Sequence, residues 1–376
     1  GRAGTQTSKG FLSLDKMLDF QWQVALGNDF IAPEEFLTLV DGMSGVVKLN
    51  NQYVMLDAAD IERLQKSMAK PPALKAGELI QAALTEEYDG AKIELTDEAR
   101  ALLDYFLNNE HVDTPKGLQA SLRPYQQRGY EWMYKNTNTG IGSIIADDMG
   151  LGKTVQVIAL LLKLKEENRL DKKQALVIVP TTLLSNWEKE IQKFAPTLSA
   201  AVYHSTARQL KNDADVVLTS YGVVRSDHEM LGKSKWACAI IDESQNIKNP
   251  AAAQTKAVKS IKADIRIAMS GTPVENRLSE YWSVFDFTNK GYLGSAKGFG
   301  DQYAKPIEKE RNQEVVERFK TVTAPFIMRR LKSDKTIISD LPDKIENNYY
   351  ARLVAKQAAV YQSLIDELMP AIAAID

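Results

Sequence analysis

Nine residues constrain this chain more than any others. Ala146-Asp147-Asp148-Met149-Gly150-Leu151-Gly152-Lys153-Thr154 follows an apolar run at 141–145 and opens an amphipathic stretch at 155–165. A strand, a glycine loop and a helix start in that order make a phosphate cradle. The loop N–H groups and the positive end of the helix dipole face an anion. Gly150 and Gly152 let the backbone come close, Lys153 can reach β- and γ-phosphates, and Thr154 can hold Mg²⁺ through its hydroxyl. The general pattern carries a glycine where this chain has Asp147. Gly-Lys-Thr alone can also be an ordinary helix start, and it is the preceding strand that favours nucleotide binding.

The chain has 376 residues, room for two or three domains. Hydrophobic residues make up 44% and charged residues 26%, a balance that buries large cores. The lone cysteine, Cys238, excludes a disulfide framework and a cysteine zinc site, and reads as a small buried hydrophobe on a strand. His111, His204 and His228 are scattered, without metal-ligand spacing. No apolar stretch is long enough to span a membrane and no signal peptide opens the chain, so a reducing cytoplasmic compartment and no membrane partner are expected. The first residues are Gly-Arg-Ala-Gly rather than Met, and a piece of a longer protein, monomeric as such, is expected.

The net charge of −2 hides a split. Residues 1–115 hold 10 Lys and Arg against 19 Asp and Glu, net −9, and residues 116–376 hold 37 against 30, net +7. The basic part suits a phosphate backbone, whose neutralisation releases counterions, although a solvated basic surface gives the same count.

Residues 1–115 read as a small acidic α+β module. Helices are expected at 33–41, 61–68, 75–87 and 96–109, and a hairpin at 46–49 and 52–56 turns on Asn50-Asn51. Thr114-Pro115-Lys116-Gly117 reads as a linker. The pattern then alternates. Strands are expected at 143–146, 175–179, 200–203, 216–219, 239–242 and 266–269, with helices at 155–167, 183–194, 251–260 and 279–287. Apolar strands separated by amphipathic helices mean an α/β parallel sheet covered on both faces. The domains expected are the module (1–115), an ATP-binding lobe (116–287), a mainly helical insertion (288–335), and a returning strand at 345–353 with a leaving helix at 355–368 (336–376).

Further chemistry sits at strand ends. The run 239–243 reads Ala-Ile-Ile-Asp-Glu, two acids at the carboxyl end of a buried strand, where such sheets bind ligands. Asp242 can hold Mg²⁺ through water and Glu243 can deprotonate an attacking water. Beside the phosphate loop this reading outweighs two solvated acids. Ser270-Gly271-Thr272-Pro273 follows another strand. Its hydroxyls can bond the acidic loop and report the γ-phosphate, or the segment is simply a Gly-Pro turn. Gln126, within Leu122-Arg123-Pro124-Tyr125-Gln126, can pair with the N6 and N7 edge of adenine, although a lone glutamine is usually solvated.

Read in order, these segments resemble the Swi/Snf-type family of ATPases, double-stranded DNA translocases within helicase superfamily two. The resemblance covers 118–365. Leu122 through Gln126 looks like the family's adenine-reading segment, with Arg123 and Gln126 at the nucleotide. Asp147 through Thr154 is similar to its phosphate loop, which accounts for the missing first glycine and adds Met149 and Leu151 to the nucleotide set. Asp242-Glu243-Ser244-Gln245 resembles its acidic box, with Ser244 departing from the usual Ala. Ser270 through Pro273, Glu275 through Leu278, Tyr281-Trp282, Phe326 with Arg329-Arg330-Leu331-Lys332, and Leu341 through Glu346 are characteristic of the family. Gln245, Ser270 and Thr272 take coupling roles by this resemblance. Thr182, Asn186 and Trp187, with Thr219, Ser220 and Tyr221, take the places of contacts to DNA phosphates. The upstream module resembles a helicase-associated region seen before bacterial members.

The resemblance implies a RecA-like first motor lobe that binds ATP and Mg²⁺, with Lys153 and Glu243 catalytic, Thr154 and Asp242 at the metal, double-stranded DNA as partner and a nucleoid-associated place in the cytoplasm. The family needs a second lobe with an arginine finger. Roughly 30 residues follow Glu346, too few for an ordinary domain. Half an active site, nearly inactive alone, is therefore expected. Two other readings share the motifs: a nucleotide-dependent binding module whose acidic part recruits a protein partner, and a strand-separating helicase.

Overall fold

The computed structural model describes residues 24–26, 29–31, 35, 38, 45–49, 52–56, 62, 76–88, 91–93, 95, 97–108 and 111–334, excepting 207, 212 and 272–276. The expected strand at 345–353 and helix at 355–368, and Thr272, lie outside the described residues. The expected helices at 33–41 and 61–68 do so too, apart from residues 35, 38 and 62, which are helical.

The strands before residue 111 pair antiparallel: β1 (Val24–Leu26) with β2 (Asp29–Ile31), β3 (Gly45–Leu49) with β4 (Gln52–Leu56), and β5 (Glu87–Tyr88) with β6 (Ala91–Lys92). The β3–β4 hairpin has the register expected for a turn at Asn50-Asn51, with Leu49 opposite Gln52. Helices α1 (Ala76–Thr85) and α2 (Asp97–Leu107) fall where helices were expected. The β1–β2 and β5–β6 pairs were not expected; strands of two or three residues leave too little alternation to read.

The main body begins with α3 (Pro124–Asn138) and β7 (Ser143–Ile145), followed by α4 (Lys153–Glu166) and β8 (Ala175–Val179). Then come α5 (Leu184–Phe194), β9 (Ala200–Tyr203), β10 (Val216–Ser220), α6 (Tyr221–Lys233) and β11 (Trp236–Ile241). After α7 (Ala253–Ser260), β12 (Ala263–Met269) and α8 (Leu278–Thr288) come two four-residue helices, α9 (Ala296–Phe299) and α10 (Lys305–Glu308), and the longer α11 (Gln313–Thr323). Strand β13 (Ile327–Met328) ends the described body.

The seven strands β13-β7-β12-β11-β8-β10-β9 form one sheet in that order, and every adjacent pair is parallel. This is the α/β RecA-like arrangement. Strands β8 and β11 are apolar throughout because both faces are covered. Successive side chains alternate between two cores. Ala175, Val177 and Val179 of β8, with Cys238 and Ile240 of β11, pack against α3, α4 and α5 through Met133, Val157, Leu161, Trp187 and Ile191. Leu176, Ile178, Ala239 and Ile241 face the other side and pack with Val224 and Leu231 of α6, Val258 of α7 and Phe285 of α8. Burial pushes the Cys238 thiol up to about 12, as suits an inert core group.

Two features depart from the sequence reading. Helix α6 was not expected. Its apolar positions are sparse, and Asp227 breaks it locally with φ −111° and ψ 18°. The stretch 288–335 is mainly helical but ends in β13, which adds to the edge of the sheet beside β7, with Ile327 opposite Ile144. Pro325 O fixes this junction by accepting from Trp132 Nε1 and Asn136 Nδ2, each at 3.2 Å. Phe326 is buried among Tyr292, at a centroid distance of 4.5 Å, and Phe285, at 5.4 Å. Helix α1 joins the same core. Gln81 Nε2 donates to Tyr292 O (2.7 Å), Tyr303 OH donates to Gln81 Oε1 (2.8 Å), and a Cβ on Gly77 would meet Tyr292 O at 2.9 Å.

Phe326→Ala should cost about 3–5 kcal/mol, because its ring is wholly buried and the cavity cannot collapse without moving β13. Urea unfolding of both proteins measures it; a loss below about 1 kcal/mol would contradict this packing.

Candidate active site

The parallel sheet puts the loops after β7, β12 and β11 side by side at its carboxyl edge, where ligands bind in such sheets. Ser270 N donates to Ile145 O (2.9 Å), so the segment after β12 starts against the phosphate loop. At Gly271 a Cβ would lie 2.8 Å from Met149 Cγ, so the two loops approach closely here.

The phosphate loop depends on left-handed backbone at two glycines, with φ +82° at Gly150 and +74° at Gly152. Gly152 is the N-cap of α4, and no side chain caps it. The leading N–H groups of a helix have no intrahelical acceptor, so this end fits an anion. Lys153 Nζ donates to Asp147 O (2.6 Å) and Asp148 O (3.1 Å). Burial lowers its pKa, against the opposing pull of Asp147, Asp242, Glu243 and Asp148. A half-desolvated ammonium resting on carbonyls fits transfer to a phosphate. Thr154 follows on the first turn, half-buried, and Met149 is 66% exposed on the loop. Leu151 is buried.

Asp242 follows the last residue of β11 rather than ending the strand, and its carboxylate is nearly buried. Trp187 Nε1 donates to Oδ2 (2.9 Å), and the Glu243 N–H donates to Oδ1 (2.8 Å). Burial raises the pKa of this acid, and the Trp187 bond works against that rise. Each oxygen keeps a second lone pair, which suits a hydrated cation. Glu243 adopts left-handed backbone, φ +51°, a strained conformation for a side-chain-bearing residue. Gln245 Nε2 donates to Glu243 Oε2 (2.8 Å), and Ser270 Oγ donates to Gln245 Oε1 (3.4 Å). The acidic loop and the segment after β12 are thus joined through Gln245. Among the described residues, no group of three or more His, Cys, Asp or Glu forms a ready metal cluster.

Gln126 is buried and engaged. Its Oε1 accepts from Arg123 N (2.9 Å) and its Nε2 donates to Leu151 O (3.2 Å), so here it closes the start of α3 onto the phosphate loop. Arg123 itself is exposed.

The residues expected to contact DNA divide. Thr182 and Asn186 are exposed, and Asn186 Nδ2 donates to Glu190 Oε1 (2.8 Å). Trp187, Thr219, Ser220 and Tyr221 have buried side chains that are engaged inside the lobe. Trp187 holds Asp242, as does Tyr221, whose OH donates to Asp242 O (2.6 Å). Thr219 Oγ1 donates to Tyr203 O (2.8 Å), and Ser220 Oγ accepts from Val223 N as the cap of α6. A strand end followed by a helix start buries such residues before any ligand arrives.

Sequence reasoning missed the partner of Asp147. This carboxylate has no exposed surface. Arg330 Nε donates to both its oxygens (3.0 and 3.1 Å), Nη2 donates to Oδ2, and the Arg330 N–H donates to Oδ1 (3.0 Å). Asp148 Oδ2 in turn accepts from Lys332 N (2.8 Å). A buried acid in place of a loop glycine demands a cation, which is a readable signal. Spacing alone does not say that the cation stands 183 positions later.

Trp187→Phe keeps an aromatic ring and removes the donor to Asp242. The pKa of this acid, already raised by burial, should rise further. A raised pKa gives stability that is fully present below the unfolded pKa and lost as pH rises through the folded one. The destabilisation should therefore grow between pH 4 and pH 7, toward about 1.5–3 kcal/mol. Melts across that range test it, and a penalty independent of pH would overturn it.

Residues 125–375 match the model of the SNF2-related domain, and residues 1–84 match a model described as SNF2 Helicase protein. A Bacillus subtilis (strain 168) protein named "Putative ATP-dependent helicase/translocase YwqA" is 36% identical over 386 residues, covering 96% of this chain and 42% of its own length. The TATA-binding protein-associated factor MOT1 of Saccharomyces cerevisiae is 34% identical over 322 residues, covering 78% of this chain and 17% of its own length. The Sulfolobus solfataricus SWI2/SNF2 ATPase core in complex with dsDNA is 44% identical with a TM-score of 0.59, over 71% of this chain and 56% of that one. The chain thus spans less than half the length of these two curated relatives.

Proposed function

The chain belongs to the SNF2-related family, and from that membership we propose that it is the first motor lobe of an ATP-driven double-stranded DNA translocase that remodels protein–nucleic acid complexes. The observation that carries the ATP reading is the meeting of Lys153, the uncapped start of α4 and the Asp242-Glu243 pair at one edge of the sheet. Lys153 donates to the β- and γ-phosphates, and Glu243 takes the proton of the attacking water. Gln245 and Ser270 carry the state of that edge to the segment after β12, and Thr272 is assigned to the same coupling. Thr154 and Asp242 are the residues that would hold Mg²⁺, which when bound screens phosphate charge. Arg123, Gln126, Met149, Gly150, Leu151 and Gly152 line the nucleotide.

Double-stranded DNA as partner is supported by the bound duplex of the Sulfolobus relative and by the net charge of +7 over 116–376. Thr182 and Asn186 are the rim residues assigned to it. Contacts of this kind go to phosphates and carry little sequence information. The name of MOT1 pairs that relative with a DNA-bound protein, which supports nucleoprotein as the substrate. A nucleoid-associated place in the cytoplasm follows from this reading. The acidic residues 1–115 favour a second role, capture of a basic protein partner; replacing the exposed Asp97 and Asp104 of α2 by Asn should weaken capture and leave DNA binding intact. On the full-length protein, triplex displacement without strand unwinding separates a translocase from a strand-separating helicase.

Lys153→Ala should remove most affinity for a fluorescent ATP analogue without lowering the melting temperature, since this lysine serves phosphate. Unchanged affinity would sink the assignment. Glu243→Gln in the full-length protein should bind ATP and lose turnover; near-normal turnover would exclude Glu243 as the base. The 376-residue chain alone should turn over slowly. An arginine finger supplied from elsewhere contributes roughly 10³–10⁵ in rate. DNA affinity should fall steeply with salt, with a log–log slope proportional to the phosphates neutralised. A salt-independent affinity would contradict phosphate contacts.

A further inference from the structure

We propose that Arg330 is a positioning residue for the nucleotide: by gripping Asp147 it holds the phosphate loop in its binding shape before any nucleotide arrives. The inference rests on the ATP reading above and adds a brace to it.

Every partner of the Arg330 side chain belongs to a segment assigned to the nucleotide. The fork binds Asp147 through Nε and Nη2, at the first position of the loop. Its Nη2 also donates to Gln156 Oε1 (2.8 Å), on the first turn of α4. Its Nη1 donates to Tyr125 O, next to Gln126, and the guanidinium lies over the Tyr125 ring at 5.4 Å. Gln156 Nε2 donates onward to Gly152 O (3.0 Å), the cap of α4. One cation therefore ties the start of α3, the loop and the helix behind it.

Room for this brace is kept by glycine. A Cβ on Gly129 would fall 2.0 Å from Gln156 Oε1 and 2.9 Å from Arg330 Nη2. The main chain repeats the connection. Ala146 N donates to Met328 O (2.8 Å) and Asp148 N to Arg330 O (3.0 Å), so the sheet edge continues into the loop. The carbonyl of the braced Asp147 accepts from Lys153 Nζ (2.6 Å). Arg330 thus stands one residue away from the ammonium that serves phosphate. A loop with two left-handed glycines is soft on its own, and a glycine at position 147 would give it nothing to hold. The acid is the handle by which β13 and the residues after it hold the loop.

The test measures binding of a fluorescent ATP analogue with Mg²⁺ to this chain, and amide exchange at Asp148 and Arg330 without nucleotide. R330K keeps the charge and loses the fork. Its affinity should fall roughly 10–100-fold, the usual effect of losing an outer orienting group. Exchange at Asp148 should speed up by a similar factor while Val177 and Ile178 in β8 stay protected. D147N should do the same. The double variant should lose no more than the worse single, because both remove one contact. Affinity unchanged in R330K, or losses that multiply in the double variant, would overturn the brace. Should both variants fail to fold, the wild type decides: Asp148 must be protected without nucleotide, and fast exchange there overturns the proposal. Wild-type protein that binds no ATP overturns the nucleotide reading and the brace together. Wild-type binding with an unaltered R330K removes the brace alone.

Discussion

A carboxylate with no exposed surface persists as an anion only beside a cation that spends its hydrogen bonds on it. The pairing of Asp147 with Arg330 meets that condition, and much of the lobe is arranged to make it possible. Arg330 reaches Asp147 because β13 lies parallel to β7, and β13 lies there because Pro325 O is held by Trp132 and Asn136. Phe326 fills the aromatic core beneath that junction. The helices from α8 to α11 are therefore more than an insertion on the surface. They return the chain to the sheet at the place where the phosphate loop needs support.

The same return brings the upstream residues into the lobe. Tyr292 packs on Phe326, its OH donates to Val322 O (2.8 Å), and its carbonyl accepts from Gln81 of α1. The loss of water contact by Gln81 is offset because both ends of its amide are bonded. Helix α1 has a buried face, Gly77, Ile80, Gln81, Ala82 and Ala83, that would be costly to expose. The linker after it is fastened as well. Glu131 Oε1 accepts from Gln127 Nε2 (2.9 Å) and sits 2.8 Å from His111 Nδ1, while Tyr130 OH donates to Asp113 O (3.1 Å). Thr114 through Gly117 reads as a linker by composition, yet the chain leading into it is held against α3.

What was legible in the sequence was whatever local chemistry dictates. Ala175–Val179 is apolar at every position, so a parallel strand covered on both faces follows from those residues alone. The glycines at 150 and 152 and the lysine after them mark a turn and a helix start that need few alternatives. What was not legible depends on partners far apart. Trp187 looks like an exposed aromatic near a ligand surface, and only the fold reveals that its indole N–H belongs to Asp242. Helix α6 hides because only four of its side chains, Tyr221, Val223, Val224 and Leu231, are buried, which weakens the periodic signal. Strand β13 has two residues, below what alternation can report. The amide of Gln126 has the right chemistry for adenine, but sequence cannot show that Leu151 O and Arg123 N already engage it.

The burial of Trp187 and Tyr221 changes how the two halves of the sheet edge relate. Trp187 stands on α5 after β8, five residues beyond the exposed Thr182, and Tyr221 opens α6 after β10. Both donate to Asp242, one to its carboxylate and one to its carbonyl. The rim assigned to DNA and the acid assigned to the metal are thus one hydrogen bond apart. Buried hydrogen bonds of this length do not stretch by much before they are lost. A displacement of α5 along its axis must therefore either carry Asp242 with it or leave a buried carboxylate with only the Glu243 N–H as donor. The second outcome raises the cost of the charged form that a cation requires, because burial already works against it. A single hydrogen bond, from Trp187 Nε1 to Asp242 Oδ2, spans the distance between α5 and the acidic loop.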